Sequence, residues 1–503
     1  MSLTPDRSFA PSATRSRLGA TTVLGAIVVF ASTLAWTALV RLPLIRHSGA
    51  DDAFYTEVAL LWRQGVLPYV GAFDIKPPGI FAVLALTQSI LGPSLGALNA
   101  ISIASDALTA ALLMTLAARY GEPIVGVFAA ALYPILSEVI VFDPAYSLLA
   151  AMTTLAMFAV VSPQPLLARS ALAGLIIGAA CAVKHTAAFE GLAAFAILVG
   201  AQDANGRKFA ASAVFILSAA IVPLAFVAYF AAHGAAGAML WDIVGVAVQK
   251  IAAGSDKTGF VDGPWRLAIL SVSLAPVFVA IFALGLRQEL VPSRAPPWAL
   301  RLWLGLALAS LLAQRAQLTT YLGPVLAPGL LLSGLVIAAK TRAGASWSLA
   351  GRLGVVGAAV AACVVAERQE TLFATEDMPA IETVAATIRA AHPSSGDRLY
   401  VVLKSAWLYP LSGLRPPTPF FIPSQSLCRF ANVGPARIAE AFAARPRFVV
   451  VGDPSQRFDC EVPGARREID AALTRDYREL AHVEGDFDTY VLYEAATETT
   501  QRQ

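Results

Sequence analysis

The chain has 503 residues, 57% of them hydrophobic and only 14% charged, with a net charge of +3 and a mean hydropathy of +0.65. Soluble globular proteins carry about 25% charged residues, so this chain cannot cover a soluble surface, and apolar runs such as Thr21 to Leu39 and Phe209 to Phe230 require lipid as their solvent. A soluble cytoplasmic enzyme, a disordered chain and a secreted disulfide scaffold are excluded, and with no basic patch interleaved with aromatics there is no case for nucleic acid as a partner.

Arg7, Arg15 and Arg17 precede the first apolar run, which is too long for a signal-peptide core and ends in no small-residue cleavage site. It reads as a retained membrane helix behind a cytoplasmic basic tail, residues 1–19. A polar stretch, His47 to Lys76, leads to a shorter apolar piece, Pro77 to Leu91, bounded by Gly92-Pro93. About fifteen residues at a rise of 1.5 Å fall short of the roughly 30 Å hydrocarbon core, so this piece is expected at the interface, a short true span being the alternative. Further runs begin near Leu95, Pro123, Ala145, Arg169, Ala187, Phe209, Pro264, Trp298, Leu318 and Trp347. That makes about eleven spans, twelve or thirteen if short pieces also cross, and an odd number places the C-terminus outside. Arg119, Arg169, Arg207 with Lys208, Arg287 with Arg294 and Arg301, and Lys340 with Arg342 then all fall in cytoplasmic loops. Counting the short piece as a span would put them outside, so residues 20–366 read as a membrane domain whose first outer loop is 46–94.

Near Glu367 the apolar runs stop. A helix Met378 to Ala391, a strand Leu399 to Leu403, a helix Pro435 to Ala444, a strand Phe448 to Val451 and late strands near Tyr477 to Val483 and Tyr490 to Tyr493 predict a small outer α/β domain, 367–495, before a polar tail, 496–503. Cys181 and Cys363 lie in apolar runs, whereas Cys428 and Cys460 lie in the outer part, where an oxidising compartment leaves a disulfide open. No CxxC or Cys/His cluster has zinc spacing.

The first outer loop reads DDAFYTEVALLWRQGVLPYVGAFDIKPPGIF from Asp51 to Phe81. Asp51 and Asp52 either open a surface helix running to about Gln64, favoured by its dipole, or supply a general base at the membrane surface. Lys76, fixed by the stiff Pro77-Pro78-Gly79 turn, is either a snorkelling anchor or a phosphate contact. Glu138 sits in an apolar run and needs a partner. Trp241 to Ile251 reads as an amphipathic surface helix, with Lys250 and Lys257 near lipid headgroups.

The acidic pair with Tyr55, the helix ending in Gly65, the Pro68-Tyr69 pair and the Lys76-Pro77-Pro78-Gly79 turn resemble membrane glycosyltransferases of the GT-C fold, in the branch with lipid A aminoarabinose transferases, protein O-mannosyltransferases and lipopolysaccharide galacturonosyltransferase-like proteins. Phe142-Asp143-Pro144, the Ala182 to Thr186 break, Tyr321-Leu322-Gly323-Pro324 and the outer LYPLSGLR stretch, Leu408 to Arg415, are similar to further family segments. Thr320 stands where relatives often carry histidine.

The resemblance implies an α-helical polytopic membrane protein with a small extracytoplasmic α/β domain. It implies catalytic roles for Asp51, Asp52 and Asp143, donor-phosphate binding by Lys76, Lys184, His185, Arg315 and Tyr321, and substrate contacts from Tyr55 and Tyr69. Blander readings stand beside these: Asp143 as a helix cap, Lys184 and His185 as interface residues, Arg315 as an anchor. No cofactor is required; a divalent metal, held by Asp51 and Asp143 if present, is an option. The implied partners are a polyprenyl-phosphate-linked sugar, an acceptor glycan, lipid or protein, and membrane lipid, and the implied location is a bacterial plasma membrane. The rival class is a transporter or flippase of lipid-linked saccharides, against which stands the lack of paired inverted halves and of acids arrayed along the spans.

Overall fold

The computed structural model describes residues 19–41, 47–48, 50–140, 143–200, 205–246, 248, 297–314, 319–342, 376–402, 405–421, 434–452, 464–486 and 489–496. Helices α1 (Ala20–Arg41), α2 (Ala50–Arg63), α3 (Pro78–Leu91), α4 (Leu95–Arg119), α5 (Pro123–Ile140), α6 (Pro144–Val160), α7 (Leu166–Val183), α8 (Ala187–Gly200) and α9 (Asn205–Ala232) follow one another closely. Then come α10 (Ala236–Leu240), continued as a wider π turn to Val246, α11 (Pro297–Ala313), a 3-10 turn Thr319–Leu322 and α12 (Gly323–Arg342).

Among the described residues, four helices are long and apolar enough to cross a membrane: Ala20–Arg41, Leu95–Arg119, Leu166–Val183 and Arg207–Ala232. α4 is the central one, its apolar window 72% buried, whereas those of α1 and of the 207–232 helix are 11% buried and face outward. The short piece forms the 14-residue α3, about 21 Å long. The runs expected near Pro264 and Trp347, on which part of the eleven-span expectation rests, lie outside the described residues. So do Cys428, Cys460, Lys250 and Lys257.

One end of the bundle is basic. Arg119 and Arg169 donate to the last carbonyls of α6, Val161 O at 2.8 Å and Val160 O at 2.9 Å, where cations complement a helix C-terminus. The helix interiors are less apolar than their run pattern suggests: Asp106, Glu138 and Glu190 are fully buried in α4, α5 and α8. This corrects the expectation that the spans lack acids. Glu138 has its partner, since Arg41 Nε at the end of α1 donates to Glu138 Oε1 at 2.7 Å, and Arg41 also reaches Asn99 Oδ1 at 3.3 Å. Ser137 donates to Asp106 Oδ1 at 3.0 Å.

At the other end, β1 (His47–Ser48) pairs antiparallel with β2 (Glu376–Asp377). After β2 come α13 (Met378–Ala390), β3 (Leu399–Val402), α14 (Leu408–Ser412), α15 (Gly434–Ala443), β4 (Phe448–Gly452), α16 (Ala465–Asp476), β5 (Tyr477–Glu484) and β6 (Thr489–Ala495). The sheet order is β3-β4-β6-β5, with β3 and β4 parallel and the other pairs antiparallel. Apart from the short α14, only α16 was not anticipated; its Arg- and Asp-rich sequence buries little beyond Ile469, Ala472 and Leu473. The sheet's core is continuous with the first loop: Tyr55, Leu61 and Ile80 share a cluster with Ile381, Trp407, Leu408 and Leu492.

Candidate active site

Successive residues of an α-helix point about 100° apart, and this rotation separates the two acids that open α2. The Asp51 side chain is 55% exposed and faces Lys76. Asp52 is buried and lies within electrostatic reach of Arg41. Asp52, expected among the catalytic groups, thus turns inward, away from the solvent-facing cluster.

From α2 to α3 the chain is tied down residue by residue. Arg415 Nε bonds Gln64 Oε1 at 2.9 Å, and Phe73 N donates to Pro419 O at 3.0 Å, with the Phe73 and Phe420 rings 5.1 Å apart. LYPLSGLR and the proline-rich segment after it therefore brace this loop. Tyr69, held at a φ of 68°, donates its hydroxyl to Lys76 O at 2.8 Å, and Asp74 Oδ1 accepts from Lys76 N at 3.0 Å. Tyr69 is buried, its ring 5.3 Å from that of Phe230, and it fixes the backbone that carries Lys76. Gly79 then passes so close to the end of α7 that a Cβ there would lie 2.5 Å from Ala182 O. Only glycine permits that approach, and it brings Lys76 beside the break that holds Lys184.

Lys76 Nζ lies 3.6 Å from Asp51 Oδ2 and 3.9 Å from Asp74 Oδ1, and 4.6 Å above the centre of the Tyr55 ring. Burial alone would lower the lysine pKa, but Asp51, Asp74 and Asp143 outweigh it and raise it, so the ammonium stays charged. Tyr55 is fully buried and acts as the floor beneath that ammonium. Burial raises the Asp74 pKa against the pull of Lys76.

Asp143 caps α6, accepting from Ala145 N at 2.8 Å, as the bland reading had it. It is also part of the cluster: burial raises its pKa, Lys184 and Lys76 draw it down, and Asp51 pushes it up. Lys184 ends α7 in extended backbone, its ammonium 3.6 Å above the Tyr146 ring and 5.2 Å from that of Tyr321. These rings are 5.1 Å apart, and Tyr146 donates its hydroxyl to Gln314 Oε1 at 2.9 Å. His185 is exposed beside Lys184. Arg315 lies outside the described residues.

Asp51, Lys76, Asp143, Lys184 and Tyr321 therefore converge, from four stretches of chain far apart in sequence. Asp74, Tyr146 and Gln314 belong to the same cluster and were not singled out. Asp74 could have been, standing two residues before Lys76 where its carboxylate reaches the Lys76 amide; Tyr146 reads as an ordinary core aromatic until Lys184 is placed above it. Among the described residues, no group of three or more His, Cys, Asp or Glu gathers closely enough to hold a metal ion, and one oxygen of Asp143 is already used as a cap.

No protein-family model matches the sequence, and no curated protein matches it. Solved structures do. ArnT from Cupriavidus metallidurans bound to undecaprenyl phosphate aligns over 94% of this chain and 97% of its own with a TM-score of 0.62 at 15% identity. The arabinofuranosyltransferase AftD from Mycobacteria aligns over 94% of this chain and 42% of its own, TM-score 0.53, 14% identity. The apo oligosaccharyltransferase of Archaeoglobus fulgidus aligns over 84% of this chain and 69% of its own, TM-score 0.51, 15% identity. At such identities the likeness concerns architecture, and it agrees with the resemblance carried by the first loop: the chain has the GT-C fold.

Proposed function

We propose that the chain is an integral membrane glycosyltransferase that moves a sugar from a polyprenyl-phosphate donor to an acceptor hydroxyl on the outer face of the plasma membrane. One observation carries this reading: a solvent-facing carboxylate, Asp51, stands 3.6 Å from the Lys76 ammonium, with Asp143 and Lys184 in the same cluster, at the end of the bundle opposite Arg119 and Arg169. A base beside a paired cationic site is what displacement of a phosphate leaving group needs. The undecaprenyl phosphate bound to ArnT supports the donor class.

Asp51 takes the acceptor proton as the acceptor oxygen bonds to the anomeric carbon. The bond from that carbon to the donor phosphate breaks, its electrons leave with the phosphate, and in-line attack inverts the sugar. Lys76 and Lys184 neutralise the charge that grows on the departing phosphate; Tyr321 lies beside them, with Arg315 and His185 as flanking candidates. Asp143 lies within electrostatic reach of Lys184 and starts α6. No step is routed through a metal ion, and a transfer assay with and without chelator measures any dependence.

In this reading the N-terminus is cytoplasmic, about eleven spans precede the outer unit, and the unit braces the loop that carries Lys76. Transfer of labelled sugar from a polyprenyl-phosphate donor by purified protein in detergent is the test. No turnover with any such donor would sink the proposal, and movement of lipid-linked saccharide across vesicles without transfer would replace it with a transporter.

A further inference from the structure

We propose that Tyr146 is a positioning residue whose ring sets the Lys184 ammonium at the donor-phosphate site. This rests on the proposed donor class. Tyr146 follows Asp143 by three positions on the first turn of α6 and is fully buried. Its ring is fixed from two sides: the hydroxyl donates to Gln314 Oε1 at 2.9 Å, and Tyr321 packs against one face at 5.1 Å. Gln314 is itself anchored, its Nε2 donating to Ser310 O at 3.2 Å, one turn back in α11.

Lys184 lies 3.6 Å over this ring, well inside the roughly 6 Å at which an aromatic face attracts a cation. It also stands at a helix end, where a long side chain loses much rotamer freedom when held in one place. The ring restrains the ammonium at short range, and Asp143, three positions before Tyr146, shares its electrostatic field with the same lysine. Lys76 also lies over a ring, that of Tyr55, but at 4.6 Å and with carboxylates at 3.6 and 3.9 Å. The ring contact to Lys184 is the closer of the two.

The test is binding of undecaprenyl phosphate to the full chain in detergent, with ring-fluorinated phenylalanines introduced at position 146. Fluorine drains the ring face while nearly preserving its shape, so affinity falls stepwise with each added fluorine, and Tyr146→Leu weakens binding about two- to thirtyfold. Tyr146→Phe keeps the face and stays within about threefold of wild type. In a Lys184→Ala background the fluorine series becomes flat, because the partner cation is gone. Affinity that ignores fluorination in the parent chain, or follows it equally without Lys184, overturns the inference. Should Tyr146→Leu fail to fold, the fluorinated series still decides. If the unmodified chain binds no undecaprenyl phosphate, the proposed donor fails instead; if it binds and Lys184→Ala leaves affinity unchanged, the inference alone fails.

Discussion

A cation meets a carboxylate in two very different ways in this molecule. Arg41 and Glu138 close to 2.7 Å with side chains 3% and 0% exposed, whereas Lys76 and Asp51 stand 3.6 Å apart with side chains 24% and 55% exposed. Inside the helices both charges are withheld from water and leaving one unpaired is costly, so the pair is short, and Arg41 reaches Asn99 as well, with Asp106 and Asp52 nearby. At the other end of the bundle both groups are partly open to solvent, and the longer pair can exchange partners more readily. The first pair joins α1 to α5; the second leaves two opposite charges side by side and accessible. Similar composition therefore says little about role until burial and spacing are known.

The sharpest way to separate the two pairs is to neutralise the acids one at a time. Asp51→Asn is expected to lower sugar transfer by about 10²–10⁴-fold, the range for loss of a general base, while the melting temperature stays put. Retained turnover would remove Asp51 from the mechanism. Glu138→Leu should do the opposite, destabilising the protein by about 3–5 kcal/mol because it removes the carboxylate bonded to a buried guanidinium. Denaturation in detergent would read this, and pairing it with Arg41→Met should restore most of the loss. An unstable double variant would mean that the network matters beyond its central pair.

Lys76→Ala belongs to the open pair, and its effect should fall on turnover, about 10²–10³-fold, comparable to removing one donor from a transition-state oxyanion. A fall in stability with normal transfer would assign Lys76 to anchoring. Gly79→Ala tests how the open pair is placed: the new Cβ must push the Lys76 turn away from Ala182, so transfer drops and stability falls by about 1–3 kcal/mol. Crystallography of that variant should find the turn displaced from the end of α7.

The smallest effect concerns a buried carboxylate just beyond α10. Asp242, in the π turn after α10, is buried with one unpartnered oxygen. Burial, and then Asp74, push its pKa from 3.8 up to about 7. A raised acid contributes stability that is fully present below its unfolded pKa and lost as pH rises through the folded value. Melting temperature should therefore slip as pH climbs from about 4 through 7, and Asp242→Asn should flatten that slope. An unchanged slope in the variant would assign the pH dependence to another group.

Much of the arrangement was legible early. The break between α7 and α8, the short length of α3 and most strands of the C-terminal sheet follow from run length, proline and glycine positions, and alternation, which are local properties of the chain. Asp51, Lys76, Asp143, Lys184 and Tyr321 are five of the candidates that the sequence offers, and the structure brings them together, while Asp52 turns inward and Arg315 lies outside the described residues. What the sequence does not show is that Tyr69 and Tyr55 hold Lys76 from its backbone and from below. α16 escaped notice because its burial rests on a few residues within a highly charged segment.

The sequence by itself determined that this protein lives in lipid, which helix ends carry basic charge, and where a charged loop interrupts the apolar runs. The cost of placing charge in hydrocarbon leaves few alternatives. Only the tertiary structure decided which of two neighbouring acids faces the site, that Glu138 finds Arg41 across 97 positions of chain, and that Tyr146 lies under Lys184. Those outcomes depend on helix rotation and on contacts between distant segments, and neither the spacing nor the identity of residues along the chain specifies which face packing will bury.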